Sequence, residues 1–545
     1  MRTINTIALA ALITSFLFGC SPANEPEQKD WENTTSYFKS TDERTSSTYY
    51  RPYAGFVGDV MPFFDPLQQD FKILYLQEFR PNTPDSYHPF WGVVSTDAAT
   101  YTSMGEVLPT GSKYEQDAAL GTGCVVYNEA DNLYYIFYTG NFPRAKATDS
   151  REVVMYATSP DFKVWTKNPI FRLRGVDNGY SRNDFRDPCV WKDGDTWHMI
   201  VSTYEGNKGV LAEYTSPDLQ SWTHKGVFAR MVFDGKRFME CPDVFRMGDW
   251  WYIVYSDMSN FERRVHYIKG RTMEELKANI PVGYWPDRYK EGALDSRAFY
   301  AGKTATDGNY RYIWGWCPTR AGEDNTKANN DGGEPDWAGS MMVHRVIQDS
   351  VDGTLSLVEV PALKTKYNRE LTVKEMKRVG EGDTITAIPD GYHMMAYSSI
   401  LFNTLGYHNH ISMIVTTENE KDGFGISFVR GDRKDGDKTY EKYYSVMVRQ
   451  DRNPDNQPER RHTHQIYFEE ENGIYNIAGA ESYSFPTPAD KTYRIDIYTD
   501  NSVFVMYING TVTYTNRIYG IQRNCWSVNC YEGEMTVKDI QLKQY

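Results

Sequence analysis

A chain of 545 residues is long enough for two or three domains, and its 59 basic against 73 acidic residues give a formal charge of −14. That balance excludes a nucleic-acid partner, because phosphate binding requires clustered lysine and arginine. Aromatic residues make up 15% of the chain, with 41 Tyr and 13 Trp; this favours a β-rich fold and suits recognition of sugars, whose C–H faces stack on flat rings.

Residues 1–19 read as a signal peptide. Arg2 provides the positive start, and "TIALAALITSFLF" is an apolar run too short to span a bilayer as a permanent helix. The run ends in Leu17-Phe18-Gly19-Cys20, which resembles the bacterial lipobox. The resemblance implies cleavage before Cys20, a lipid on that cysteine, and a bacterial envelope location. Ser21 after the cysteine favours the outer membrane, with the folded part in the periplasm or at the surface. Residues 20–45 are polar and read as a tether.

From residue 46 to 350 the chain repeats. A strand–turn–strand unit recurs near Asp59, Thr122, Asp187, Glu240 and Phe299, at intervals of 63, 65, 53 and 59 residues. Its strands are aromatic and β-branched, as in "YYIFYTG", "TWHMIVS" and "WWYIVYS". Between them stand turn residues such as "KDGD" and "ATDGN". A second repeat, Ser-x-Asp-x-x-x-aromatic, begins at Ser95, Ser159 and Ser216 and reads as blade-closing turns. Repeats of this length built from strands predict a five-bladed β-propeller. Helix is expected only in short pieces such as "TMEELKANI". Residues 351–545 alternate without that repeat and predict a C-terminal β-sandwich. The fold class expected is therefore all-β.

In a propeller the first strand of each blade lines the central channel, so residues at matching starts converge. Asp59, Asp187 and Glu240 occupy such starts in "VGDVMP", "FRDPCVW" and "MECPDVF". Crowded carboxylates raise at least one pKa by repulsion. One acid can then donate a proton while another stays ionised, which is what cleavage of a glycosidic bond needs. Arg186 beside Asp187 supplies charge and hydrogen-bond donors for sugar hydroxyls. Asp65-Pro66 competes with Asp59 as the first acid, but stands only six residues before the next strand at Phe71, in the turn.

These segments resemble glycoside hydrolase family 32, the invertase, inulinase and levanase group. "FRDPCVW" is similar to its Arg-Asp-Pro motif, "MECPDVF" to its Glu-Cys motif, and "HPFWGVVSTD" and "LDSRAFYAGKT…YIWGWC" to further family segments. The first motif departs: where the family has Trp-x-Asn-Asp-Pro-Asn-Gly, this chain has Val57-Gly58-Asp59-Val60-Met61-Pro62. The resemblance implies a retaining β-fructosidase acting on a fructan, fructo-oligosaccharide or sucrose-type substrate, without cofactor or metal. Asp59 would be the nucleophile, Glu240 the general acid/base, Asp187 the transition-state stabiliser, and Arg186 would orient the sugar and Asp187. Trp91 and Gln77 would contact the sugar. Retention would place the carboxyls of Asp59 and Glu240 about 5 Å apart. Two other readings are carried: a non-catalytic glycan-binding lipoprotein, motivated by the altered first motif, and an arabinofuranosidase or xylosidase of the related family 43.

The pairs His408/His410 and His462/His464 could suggest a metal, but polar surroundings favour solvated surface. Cys525 and Cys530 could pair; spacing leaves this open.

Overall fold

The structure, a computed structural model, describes residues 48–52, 55–79, 88–231, 238–257, 264–278, 293–319, 336–435, 438–450, 463–470 and 483–545. The signal peptide, Cys20 and the tether lie outside the described residues, as does His462.

Five strand–turn–strand units follow one another. Their first strands are Phe56–Asp65, Ala119–Asn128, Phe185–Asp193, Met239–Met247 and Tyr300–Thr306. Each pairs antiparallel with the strand that follows it. The five also form a ring: the first packs on the second, and so on to the fifth, which packs back on the first. They are called the inner strands below. The first and fifth units are further joined through Val57 opposite Gly339 on strand Asp336–Gln348. The fold is a β-propeller followed by a β-sandwich. The helix expected in "TMEELKANI" forms at Met273–Ala278.

Every inner strand carries a β-bulge near its start. Register breaks between Val57 and Val60, Gly121 and Gly123, Arg186 and Cys189, Glu240 and Asp243, and Tyr300 and Lys303. A bulge inserts unpaired residues, bends the strand and re-aims side chains. Asp187, Cys241 and Ala301 take positive φ there, at 59°, 48° and 54°. The same device at the same place in every unit turns the start of each strand toward the axis.

The Ser-x-Asp turns are identical in all three copies. Ser95, Ser159 and Ser216 hydroxyls donate to Asp97, Asp161 and Asp218. Each aspartate then caps two backbone amides of its own turn. Each closing aromatic, Tyr101, Trp165 or Trp222, donates to the carbonyl three residues back. They are structural turns, as their position between strands predicts.

The C-terminal part stacks an eight-stranded and a seven-stranded sheet over an apolar core that includes Phe402, Ile426, Val446, Phe504 and Trp526. A second core crosses the domain boundary: Tyr498, Val503, Val505 and Tyr507 of the sandwich pack with Trp314, Trp316 and Val343 of the propeller. Three polar clamps reinforce that seam. Arg517 is buried and donates to the carbonyls of Cys317 (2.7 Å) and Pro318 (2.9 Å). Asp295 accepts from the backbone amide and hydroxyl of Thr515. Asp500 accepts from the backbone amides of Thr48 (2.9 Å) and Tyr49 (2.8 Å), and from His408 Nδ1 (2.8 Å). His410 binds Asp496 and stacks on Tyr498. Both histidines thus hold carboxylates. No disulfide joins Cys525 to Cys530.

Candidate active site

Asp59 stands in the first bulge, Asp187 in the third, and Glu240 is the last paired residue before the fourth, opposite Ser256. The expectation that the three acids occupy one register position is corrected: they straddle the same bulge at different steps. Arg186, opposite Ser202, and Tyr300, opposite Trp316, take the step that Glu240 takes. The pleat alternates faces every residue, so one-step offsets would scatter the acids if the bulges did not re-aim them.

The carboxyls nevertheless act on one another. Burial pushes Asp59 up to about 7, and the charges of Asp187 and Glu240 add to that push. The indole Nε1–H of Trp316 opposes it, donating to Asp59 Oδ1 at 2.8 Å. Asp187 is also raised, first by burial and then by Glu240, with Arg186 and Lys303 acting the other way. Its Oδ2 accepts from the Cys241 amide (2.9 Å), and its own amide donates to Thr139 Oγ1 (2.9 Å). Thr139 is tied in turn to the carbonyl of Thr122. The second unit therefore contributes scaffold where the first, third and fourth contribute acids.

Glu240 is held by two donors, Arg186 Nη2 on Oε1 (3.1 Å) and the Tyr300 hydroxyl on Oε2 (2.7 Å). Arg186 also donates to Glu152 (3.1 Å) and Asp184 (3.2 Å), and its guanidinium lies over the Phe238 ring at 4.2 Å. The expectation that Arg186 serves Asp187 is refined. Its charge favours ionised Asp187, but these hydrogen bonds position Glu240.

Asp65 faces elsewhere. It accepts from the Leu67 and Gln68 amides, the Tyr134 hydroxyl and Lys72 Nζ (3.1 Å). Burial raises its carboxyl, but these donors outweigh burial and hold it below the usual carboxylate range. It is a turn residue, so Asp59 is the first acid.

Gln77 lies opposite Val57, two residues from Asp59, and is fully buried. Trp91 stands one strand further out, edge-on to Phe79 at 5.9 Å. Its buried Nε1 has no hydrogen-bond partner among the described residues.

The sequence reading missed Trp316, Tyr300, Trp337 and Glu152. Trp337 packs against Gly58, where an added Cβ would stand 2.3 Å from the indole, and lies 4.6 Å from the His88 ring and 6.0 Å from Trp316. These rings pack beside Asp59 and its neighbour Gly58. "FYAGKT" and "YIWGWC" were visible as segments, but nothing local says which aromatic turns inward. Among the described residues, no group of three metal-ligating side chains converges.

Two domain families match the chain. "Glycosyl hydrolases family 32 N-terminal domain" matches residues 66–361. "GH32, BT1760-like, C-terminal domain" matches residues 353–542. The first match begins after Asp59, in keeping with the altered opening motif. A sucrose-6-phosphate hydrolase of Vibrio alginolyticus is 25% identical over 460 residues, 81% of this chain and 80% of that protein. A fructan 6-exohydrolase of Beta vulgaris is 25% identical over 338 residues, 55% of this chain and 53% of that protein. Among solved structures, fructan 1-exohydrolase IIa of Cichorium intybus superposes with a TM-score of 0.66 at 15% identity, covering 92% of this chain and 97% of that one. The Bombyx mori β-fructofuranosidase gives 0.62 at 17% identity, covering 92% and 94%.

Proposed function

The chain belongs to glycoside hydrolase family 32, and on that premise we propose that it is a retaining β-fructosidase acting on fructans, fructo-oligosaccharides or a sucrose-type glycoside. Hydrolysis of O-glycosyl bonds follows from the family; fructose as the sugar is supported by relatives named for sucrose-6-phosphate and fructan hydrolysis. The family 43 reading gives way to this match. One observation carries the reading: Trp316 donates to Asp59, packs 5.6 Å from the Tyr300 ring, and Tyr300 donates to Glu240, so the two acids are brought together through adjoining rings.

Asp59 attacks the anomeric carbon and forms a covalent fructosyl-enzyme. Glu240 protonates the departing oxygen and then takes a proton from the water that releases the sugar. Asp187 holds ring hydroxyls as positive charge develops. Arg186 and Tyr300 fix the rotamer of Glu240, and Gln77 and Trp91 border the pocket. The chemistry needs the proton on Glu240 and the charge on Asp59. Burial and the neighbouring acids push Asp59 up to about 7, and sugar hydroxyls donating to its carboxylate favour the charged form that attacks.

The fold boundaries proposed are 46–350 for a five-bladed propeller and 351–545 for the sandwich. The proposal also retains the lipid on Cys20 and the envelope location, supported by the lipobox-like Leu17-Phe18-Gly19-Cys20.

Reducing-sugar release from sucrose, inulin and levan tests the reading. Asp59→Asn is expected to lose about 10³-fold or more in kcat, and Glu240→Gln about 10²- to 10⁴-fold. NMR of the first product should show retained anomeric configuration. Binding of these glycans without hydrolysis would favour the glycan-binding alternative.

A further inference from the structure

Lys303 lies on the fifth inner strand, two residues past the positive-φ bulge at Ala301, and is 2% exposed. Its Nζ donates to the carbonyl of Gly123 at 2.6 Å. Gly123 belongs to the second inner strand, and the fifth packs on the fourth and first. The bond therefore crosses the central channel instead of running between neighbours. Beneath it is a cavity of about 280 Å³, lined by Met61, Phe63, Cys189, Asp243 and Arg311 among others. Above it are the acids.

The groups facing Lys303 come from every inner strand. The first brings apolar Met61; the second brings Cys124; the third, Asp187 and Cys189; the fourth, Cys241 and Asp243. On the paired strand Arg311 donates to Thr304 Oγ1 (2.7 Å) and lies over the Phe245 ring at 4.1 Å. Asp243 accepts from the amide (2.9 Å) and hydroxyl (2.6 Å) of Thr304. Burial holds the thiol of Cys124 up at about 11 and keeps those of Cys189 and Cys241 raised as well, so all three face the ammonium uncharged. A buried ammonium with neutral thiols around it is costly unless charge of the other sign is near. Asp243 brings one such charge to Lys303, and Asp187, whose ionised form Lys303 favours, brings another.

We propose that Lys303 is a positioning residue of the active site: bonded across the channel to Gly123, its ammonium closes the pocket floor and supplies positive charge, beside that of Arg186, against which Asp187 is held. This rests on the assignment of Asp59 and Asp187 to the reaction. Lys303 favours the ionised form of Asp187. Because Asp59 and Asp187 are raised in the fold, their ionisation works against stability as pH rises. Removing Lys303 enlarges that effect.

The test compares the full chain with Lys303→Gln, which can keep the bond to Gly123 without charge, and Lys303→Arg, which keeps charge. Melting temperature is followed from pH 5 to pH 8. The deficit of the Gln variant is expected to be larger at pH 8 than at pH 5 by about 2 °C or more, and that of the Arg variant to be constant. On a hydrolysed fructan, the acid limb of kcat/KM should move up by about half a pH unit or more in the Gln variant and stay in place in the Arg variant. A pH-independent deficit with an unmoved acid limb overturns the proposal. Should Lys303→Gln fail to fold, rescue of folding by adding Asp187→Asn supports it, and failure of that rescue overturns it. If the unaltered chain hydrolyses no glycan, the functional reading fails while the melting series still decides the role of Lys303.

Discussion

Trp316 is the residue on which the chemistry of Asp59 turns. Its indole donates to the carboxyl proposed as the nucleophile, so it opposes the burial that pushes Asp59 up to about 7. The free enzyme should accordingly lose kcat/KM as pH falls through about 7, because protonated Asp59 is no nucleophile. Trp316→Phe keeps most of the ring but removes the donor. It is expected to move that acid limb upward and to lower kcat/KM at pH 6 by about 10- to 100-fold, the range for a hydrogen bond to a charged group. A pH–rate series on both proteins checks this. The sequence could not announce the pair, since 257 positions separate its members. The acids themselves were legible, because each precedes a strand whose turn chemistry marks its place. Asp65 and Asp59 were separable for the same reason: six residues before Phe71 leaves room only for a turn.

At the scale of the strand, the bulge is the working part. Five strand starts were readable from aromatic runs and Asp-Gly turns, and so was the ring that joins them. The one-residue offsets were not, because a bulge adds a residue without changing the pattern of apolar and polar types. That is why Arg186, whose charge does favour ionised Asp187, also proves to hold Glu240. Gly58 shows how tight the first bulge is: a methyl there would stand 2.3 Å from the indole of Trp337. Gly58→Ala should destabilise the protein by about 1–3 kcal/mol and reduce activity further by displacing Asp59, measurable by denaturant melts alongside kcat. A variant as stable and active as the parent would show that Trp337 yields freely.

For the molecule as a whole, the two domains are one folding problem. The core around Trp314 and Trp316 includes Tyr498, Val503 and Tyr507 from the sandwich, and Arg517 reaches across to the carbonyls that follow Trp316. A fragment ending at residue 350 would expose that apolar face. It should be insoluble or lack a cooperative melt, whereas Arg517→Met in the full chain should fold with lower stability and weakened catalysis. Soluble, fully active fragment 46–350 would contradict this. The repeat and its loss after residue 350 suggested two β-domains but could not show a shared core, because the contacts join residues more than 150 positions apart. The clamp of Asp500 on Thr48 and Tyr49 has its own consequence. Any pull on the polypeptide upstream of Thr48 meets the sandwich first, through Asp500 and His408. The strand bearing Asp59 begins later, at Phe56, so tension arriving from the N-terminal side is taken up by the sandwich before it reaches the acids.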